Sequence, residues 1–185
     1  RERKWGSYPK EELVRWTAGQ RGSSVLDLGA GQGASTWFLA REGFVPVALD
    51  GSFSALQKAR GRLDAEGLPY KGVQSGLTQL PFMAHCFDAC IDVVSSAHNS
   101  LDEMAIIFAE VARVLKPSGS LCSVLPTNKC SRRTFKGLIS TFLEEIEVEL
   151  LLRPCFSNLK ILRSSYQLEN DLLIDNWIVT ANSRS

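Results

Sequence analysis

The stretch LDLGAGQG, residues 26–33, sets Gly29, Gly31 and Gly33 on alternate positions directly after an apolar run, with Asp27 two residues ahead of the first glycine. Glycines so placed let the backbone bend sharply and approach a ligand closely. A helix starting after Gly33 would aim its free N–H groups and positive dipole end at that ligand, with Ala30 inside the same loop. The dinucleotide fingerprint G-x-G-x-x-G needs its third glycine three positions past the second; Ala34 stands there, and alanine is sometimes allowed, so the glycines alone do not choose a ligand. Asp27 adds a charge argument, because a carboxylate repels a pyrophosphate and attracts a sulfonium or an ammonium. Asp50 ends the next apolar run, VALD, where a carboxylate can accept from both hydroxyls of a ribose. The same residue would also suit a cap of the following helix. The pattern asks for an adenosine-bearing ligand with positive charge and no phosphate.

Positioning these groups requires alternating strands and helices. YPKEELVRWTAGQ reads as an amphipathic helix with Leu13 and Trp16 on its apolar side and Val14 and Ala18 beside them. SSVLDLG is a strand, ASTWFLAREG a helix stopped at Gly43, FVPVALD a strand, and SFSALQKARGRLDAEG a helix capped by Ser52 or Ser54. YKGVQSG and FDACIDVVSS read as strands, LDEMAIIFAEVARVL as a helix, KPSG as a turn and SLCSVLP as a strand. RRTFKGLISTFLEEI reads as a further helix. EVELLLRP and LLIDNWIVTAN read as two last strands, joined by the polar stretch CFSNLKILRSSYQLEND. Right-handed βαβ units imply an α/β doubly wound, mostly parallel sheet with helices on both faces, and the ending implies an antiparallel pair.

At 185 residues, 44% hydrophobic and 22% charged, the chain suits one globular domain over 1–185: an N-terminal lid or helix (1–22), a ligand-binding core (23–126) and a C-terminal helix and strand pair (127–185). A net charge of +1 is no footprint for nucleic acid. No apolar run approaches the ~20 residues that span a bilayer. Five scattered cysteines suit reduced thiols, hence a cytoplasmic protein, and Cys86 and Cys90 near His85 match no zinc spacing, so no metal is expected.

Four pieces in order, VLDLGAGQG, VALDGSFSALQKAR, LPF with FDACIDVV, and EVARVLKPSG, resemble the class I S-adenosylmethionine-dependent methyltransferases of small-molecule type, over residues 25–126 and by the terminal strands over most of the chain. The resemblance implies a seven-stranded sheet ending in an antiparallel β-hairpin, with S-adenosylmethionine as cofactor. It implies that Asp27, Gly29, Ala30, Gly31 and Gly33 surround the methionine part, that Asp50 binds ribose, that Gly51, Ser52 and Leu77 line the adenine pocket, and that Ser95 lies on the cofactor side. Where relatives carry an acid four positions before the leucine of LPF, this chain has Gly76, with Ser75 and Thr78 as possible substitutes.

Methyl transfer from a sulfonium is an in-line displacement, which needs a base only when the acceptor has a proton to lose. The segment SSAHNS faces the methyl group in this fold: Ser95, Ser96 and Asn99 are polar there and His98 is the candidate catalytic base. His98 and Asn99 fit equally a cap of the helix starting near Leu101. Trp5 and Tyr8 suit a lid with aromatic faces for a sulfonium or a flat acceptor, or a staple for the first helix. Lys129, Arg132, Arg133 and Lys136 suit an anionic acceptor, or a solvated helix start. The acceptor expected is a small molecule, with no nucleic-acid or membrane partner; no Asn-Pro-Pro-Tyr-like motif points to adenine or glutamine. Two alternatives stand beside this reading: a methyltransferase-like binding module without catalysis, and a nicotinamide-dependent oxidoreductase.

Overall fold

The computed structural model describes residues 9–20, 24–131, 134–135, 138–168 and 172–184, with backbone alone at 134–135 and 138–139. Its elements in chain order are α1 (Glu11–Thr17), β1 (Ser24–Leu28), α2 (Ala34–Arg41), β2 (Val45–Asp50), α3 (Phe53–Asp64), β3 (Lys71–Gln74), β4 (Phe87–Val93), a 3₁₀ turn (Ser96–His98), α4 (Leu101–Val114), β5 (Leu115–Pro126), β6 (Thr134–Phe135), β7 (Leu138–Ile139), α5 (Glu145–Leu152), β8 (Phe156–Gln167) and β9 (Leu173–Ser183). A seven-stranded sheet runs β3-β2-β1-β4-β5-β9-β8, parallel from β3 through β5, with β9 antiparallel to both neighbours. A separate two-stranded pair joins β6 to β7.

The central strands are apolar on both faces because helices cover both. On one face Leu13, Val25, Leu39, Ala89, Ile91 and Cys122 form a cluster under α1 and α2. On the other, Leu26, Leu28, Met104, Ile107, Phe108, Val111, Leu125, Val148 and Val179 meet under α4 and α5. Helix α4 shows why it forms: Met104, Ile107, Phe108 and Val111 recur at helical spacing, and Ser100 and Glu103 make a reciprocal capping box. In α1, Leu13 and Thr17 are buried, whereas Val14 is exposed, so the apolar side is narrower than expected.

The antiparallel end is present, but its pieces differ from those expected. The helix expected over RRTFKGLISTFLEEI is instead the short β6–β7 backbone pair followed by a segment without regular structure. The strand expected over EVELLLRP is helix α5, whose Val148 and Leu152 are buried one turn apart and whose Glu144 and Glu147 form a capping box. Its leucine run imitates a strand because two of the three residues between the buried pair, Leu150 and Leu151, are also apolar, Leu150 being exposed. The polar connection is itself a strand, β8: it is an edge strand, most of its length half-exposed or exposed, so polar residues are tolerated along it. The turn expected at KPSG is a bulged start of β5. Leu115 pairs with Phe87 and Ser120 with Ala89, with Ser118 at a φ of +61° between them.

The order of strands reverses at β1, which pairs with β2 on one side and β4 on the other. In open α/β sheets the crevice at this switch point, beyond the carboxyl ends, takes the ligand.

Candidate functional site

Four chain segments leave the carboxyl ends of adjacent strands and meet there: residues 29–33 after β1, 51–52 after β2, 75–77 after β3 and 94–100 after β4. The glycine loop is held by its neighbour strand. Ala30 N–H donates to the Leu49 carbonyl (2.9 Å), and Gly31 N–H donates to Asp50 Oδ2 (2.8 Å). The other Asp50 oxygen accepts from Ser52 N–H (2.7 Å). One carboxylate thus fixes both the loop and the start of α3, where Ser52, not Asp50, is the cap, accepting from Ala55 N–H.

The three loop glycines all have positive φ, at +67°, +55° and +75°. A Cβ at Gly29 would lie 2.2 Å from Ser95 Cβ, and one at Gly33 would lie 2.7 Å from Ala59 Cβ, while Gly31 has nothing within 4 Å. Gly33 therefore serves close packing of the loop on α3, and Gly31 is the glycine that opens to the crevice. This accounts for the short spacing: helix contact falls at position 33, not 34. Gly76 likewise has open space, on an exposed turn beside Gly51, whereas Leu77 packs against the core. Ser75 ties this turn to β2, its N–H donating to the Asp50 carbonyl (3.2 Å), and its hydroxyl donates to Gln79.

Three carboxyl groups lie in the last two positions of three adjacent parallel strands: Asp50 of β2, Asp27 of β1 and Asp92 of β4. None forms an ion pair among the described residues. Asp27 is 2% exposed and accepts from the Thr36 hydroxyl. Burial, reinforced by the Asp50 and Asp92 charges and opposed by the Thr36 hydrogen bonds, pushes its carboxyl up to about 7. Asp92 is fully buried and gathers the following turn: its carboxylate accepts from Ser95 N–H (3.0 Å), Ser96 N–H (3.1 Å), the Ser96 hydroxyl and the Ser123 hydroxyl of β5 (2.8 Å). The Ser95 hydroxyl lies 2.5 Å from both Asp92 and the Leu28 carbonyl, so it is turned into the protein over Gly29. Carboxyl groups without an ion-pair partner among the described residues favour a cation over a pyrophosphate at this end of the sheet.

Beyond Asp92 the turn carries His98 and Asn99. Neither caps α4; that position belongs to Ser100. Asn99 donates to the Ser95 and Ser96 carbonyls (3.4 and 3.0 Å), and His98 Nδ1 lies 3.2 Å from the Ser140 hydroxyl. In helix α1, Glu12 accepts from the hydroxyl of Ser164 on β8, which is level, through Asn176 of β9, with Pro126 at the end of β5. Trp5, Tyr8, Arg132, Arg133 and Lys136 lie outside the described residues, and Lys129 N–H donates to the Thr127 hydroxyl.

The sequence reading missed Thr36, Asp92, Ser123 and Ser140. Asp92 left a signal, an acid flanked by Ile91, Val93 and Val94 in the strand FDACIDVV; a buried charge needs donors, and two serines follow it. Ser140 left none, being part of the expected helix.

The sequence profile of a methyltransferase domain matches residues 25–119. The chain is 32% identical over 137 residues to the uncharacterized methyltransferase YodH of Bacillus subtilis, covering 70% of this chain and 57% of that protein. It is 36% identical over 136 residues to a demethylmenaquinone methyltransferase of Mycobacterium sp. (strain JLS), covering 72% and 56%. The chain thus spans about half the length of the curated relatives it matches. A solved SAM-dependent methyltransferase structure from Methanosarcina mazei superposes with a TM-score of 0.80 over 92% of this chain and 97% of that one, at 19% identity, which is a likeness of fold.

Proposed function

The chain belongs to the class I S-adenosylmethionine-dependent methyltransferases, and on that premise we propose that it moves a methyl group from S-adenosylmethionine to a small-molecule acceptor. The observation that carries this is the set of carboxyl groups, Asp27, Asp50 and Asp92, in the last two positions of three adjacent strands without a cationic partner among the described residues. That environment suits a ligand with sulfonium and ammonium charges, and the open space at Gly31 and Gly76 leaves room for it. When bound, S-adenosylmethionine supplies an electrophilic methyl group on sulfur.

The residues then divide the work. Asp50 holds the ribose hydroxyls with the lone pairs that remain after Gly31 and Ser52 are satisfied. Asp27 offers negative charge behind the loop to the amino-acid end, and Gly29, Ala30, Gly31 and Gly33 keep the loop backbone close. Gly51, Ser52, Gly76 and Leu77 flank the adenine. Ser95, Ser96 and Asn99 shape the acceptor-side turn through their own hydrogen bonds. His98 is the titratable side chain of that turn, and takes the acceptor's proton where the acceptor is a hydroxyl or an amine. The similarity to a demethylmenaquinone methyltransferase supports a small-molecule acceptor.

Calorimetric titration with S-adenosylhomocysteine, with NAD as the control, tests the reading. Binding of the former alone is expected, and Asp50→Ala should weaken it by about 10- to 100-fold, as loss of a charged hydrogen-bonding group does. Binding of NAD alone, or unaltered affinity in Asp50→Ala, sinks the assignment.

A further inference from the structure

Asn176 of β9 is 3% exposed, and its side-chain nitrogen has no hydrogen-bond partner among the described residues. Buried donors are ordinarily paired, because an unmade hydrogen bond leaves the cost of removing the group from water. The residues beside it obey that rule: Thr127 donates to Asp175, which also accepts from Arg163. Its place follows from the register. β9 is antiparallel to β5, so its first residues reach the carboxyl edge, where Asn176 pairs with Pro126, the last residue of β5, and with Ser164 of β8. Asp27, Ile91, Cys122 and Thr180 form one row across the sheet, and Ile91 and Cys122 belong to the cluster under α1 and α2. Side chains alternate along a strand, so Asn176, four residues before Thr180, faces the same side as Asp27. It stands two strands beyond β4, a separation of about 10 Å, on the side away from β1 and β2.

Beside it lies a negative charge. Glu12 of α1 accepts from the Ser164 hydroxyl, and Ser164 is the cross-strand partner of Asn176, with such partners about 5 Å apart at Cβ. A carboxylate only accepts, so it draws the amide hydrogens of Asn176 and repels the amide oxygen, which agrees with nitrogen being the open atom. Helix α1 has seven residues and no side-chain cap, so its first turn is the part of this cover that opens most readily. From this placement we propose that Asn176 is a specificity-determining residue: it donates to a neutral carbonyl oxygen at the end of the acceptor remote from the methylated atom, and Glu12 excludes a carboxylate there. The proposal rests on the reading of this edge as the acceptor side of a methyltransferase. A neutral oxygen gives the donor its missing partner and brings no charge against Glu12, whereas an anion meets like charge at close range.

Three matched probes test it. 4-Hydroxyacetophenone, 4-hydroxybenzoate and 4-ethylphenol set a ketone, a carboxylate or an ethyl group one ring away from the same hydroxyl. In titration calorimetry of the full chain at neutral pH, with and without saturating S-adenosylhomocysteine, the ketone should bind about tenfold more tightly than 4-ethylphenol, as one neutral hydrogen bond allows. The carboxylate should bind most weakly. Asn176→Leu should bring the ketone and 4-ethylphenol level, and Glu12→Gln should tighten 4-hydroxybenzoate alone. In ¹H–¹⁵N spectra of the wild type the ketone should shift the side-chain amide signals of Asn176, a readout that holds whether or not Asn176→Leu folds. A ketone no tighter than 4-ethylphenol, a preference that survives Asn176→Leu, or unmoved Asn176 signals overturns the proposal. Failure of the underlying reading shows separately. A chain that binds S-adenosylhomocysteine without the ketone preference keeps that reading and loses the proposal. One that keeps the preference but binds no S-adenosylhomocysteine has a carbonyl site without methyl transfer, and the role in acceptor choice falls with it.

Discussion

Asp27 is a carboxyl group held where ionisation is unfavourable until a cation arrives. Its folded-state value, about 7, lies above the ordinary 3.8, chiefly through burial. The stability it contributes is therefore present below about pH 4 and is lost as pH rises through about 7, where the buried group must ionise. A ligand with a cationic amino-acid end reverses that preference. S-adenosylhomocysteine should thus bind about tenfold more weakly at pH 6 than at pH 8, the change set by one proton on a group titrating near 7. Asp27→Asn should flatten this dependence; titration calorimetry at the two pH values measures both, and an unflattened profile would assign the proton elsewhere. The residues with local signatures, Asp27, Asp50 and the loop glycines, were legible in the sequence because backbone bending and charge confine residue choice at those positions. Thr36 and Ser140 were not, since each acts through a contact made only by folding.

Elements show the same division. Helix α4 announces itself by period and by its Ser100–Glu103 box. Ser100→Ala should cost about 1 kcal/mol, lowering Tm by roughly 2–4 °C in a chain of this size. Thermal melting checks this, and an unchanged melt would mean that Glu103 or water replaces the cap. The segment from 127 to 167 was the poorly legible part, for two physical reasons. In α5 the exposed side also carries Ile146 and Leu150, which blurs the helical period into an apolar run. In β8 the open edge and half-exposed faces remove the demand for alternating apolar residues, so polar side chains hide the strand. The interior strands β1 and β4, buried on both faces, had no such freedom and read plainly.

At the scale of the molecule, the sheet order keeps the three carboxylates central and leaves β3 and β8 as its edges. The β3 edge is four residues long; β8 runs for twelve, so nearly the whole exposed margin on that side is one strand. Two features interrupt it. The register shifts between Ser157 and Lys160, with Asn158 turned to a φ of +51°, and Lys160 then projects from the middle of the apolar stretch Leu159–Leu162. Such a kink and charge discourage another strand from lying alongside. Lys160→Val should leave Tm nearly unchanged yet make concentrated solutions turn cloudy on warming, which light scattering would register; clear solutions would mean that the kink alone suffices. The shape of one strand thus bears on how many copies of this protein can share a small volume without sticking to one another.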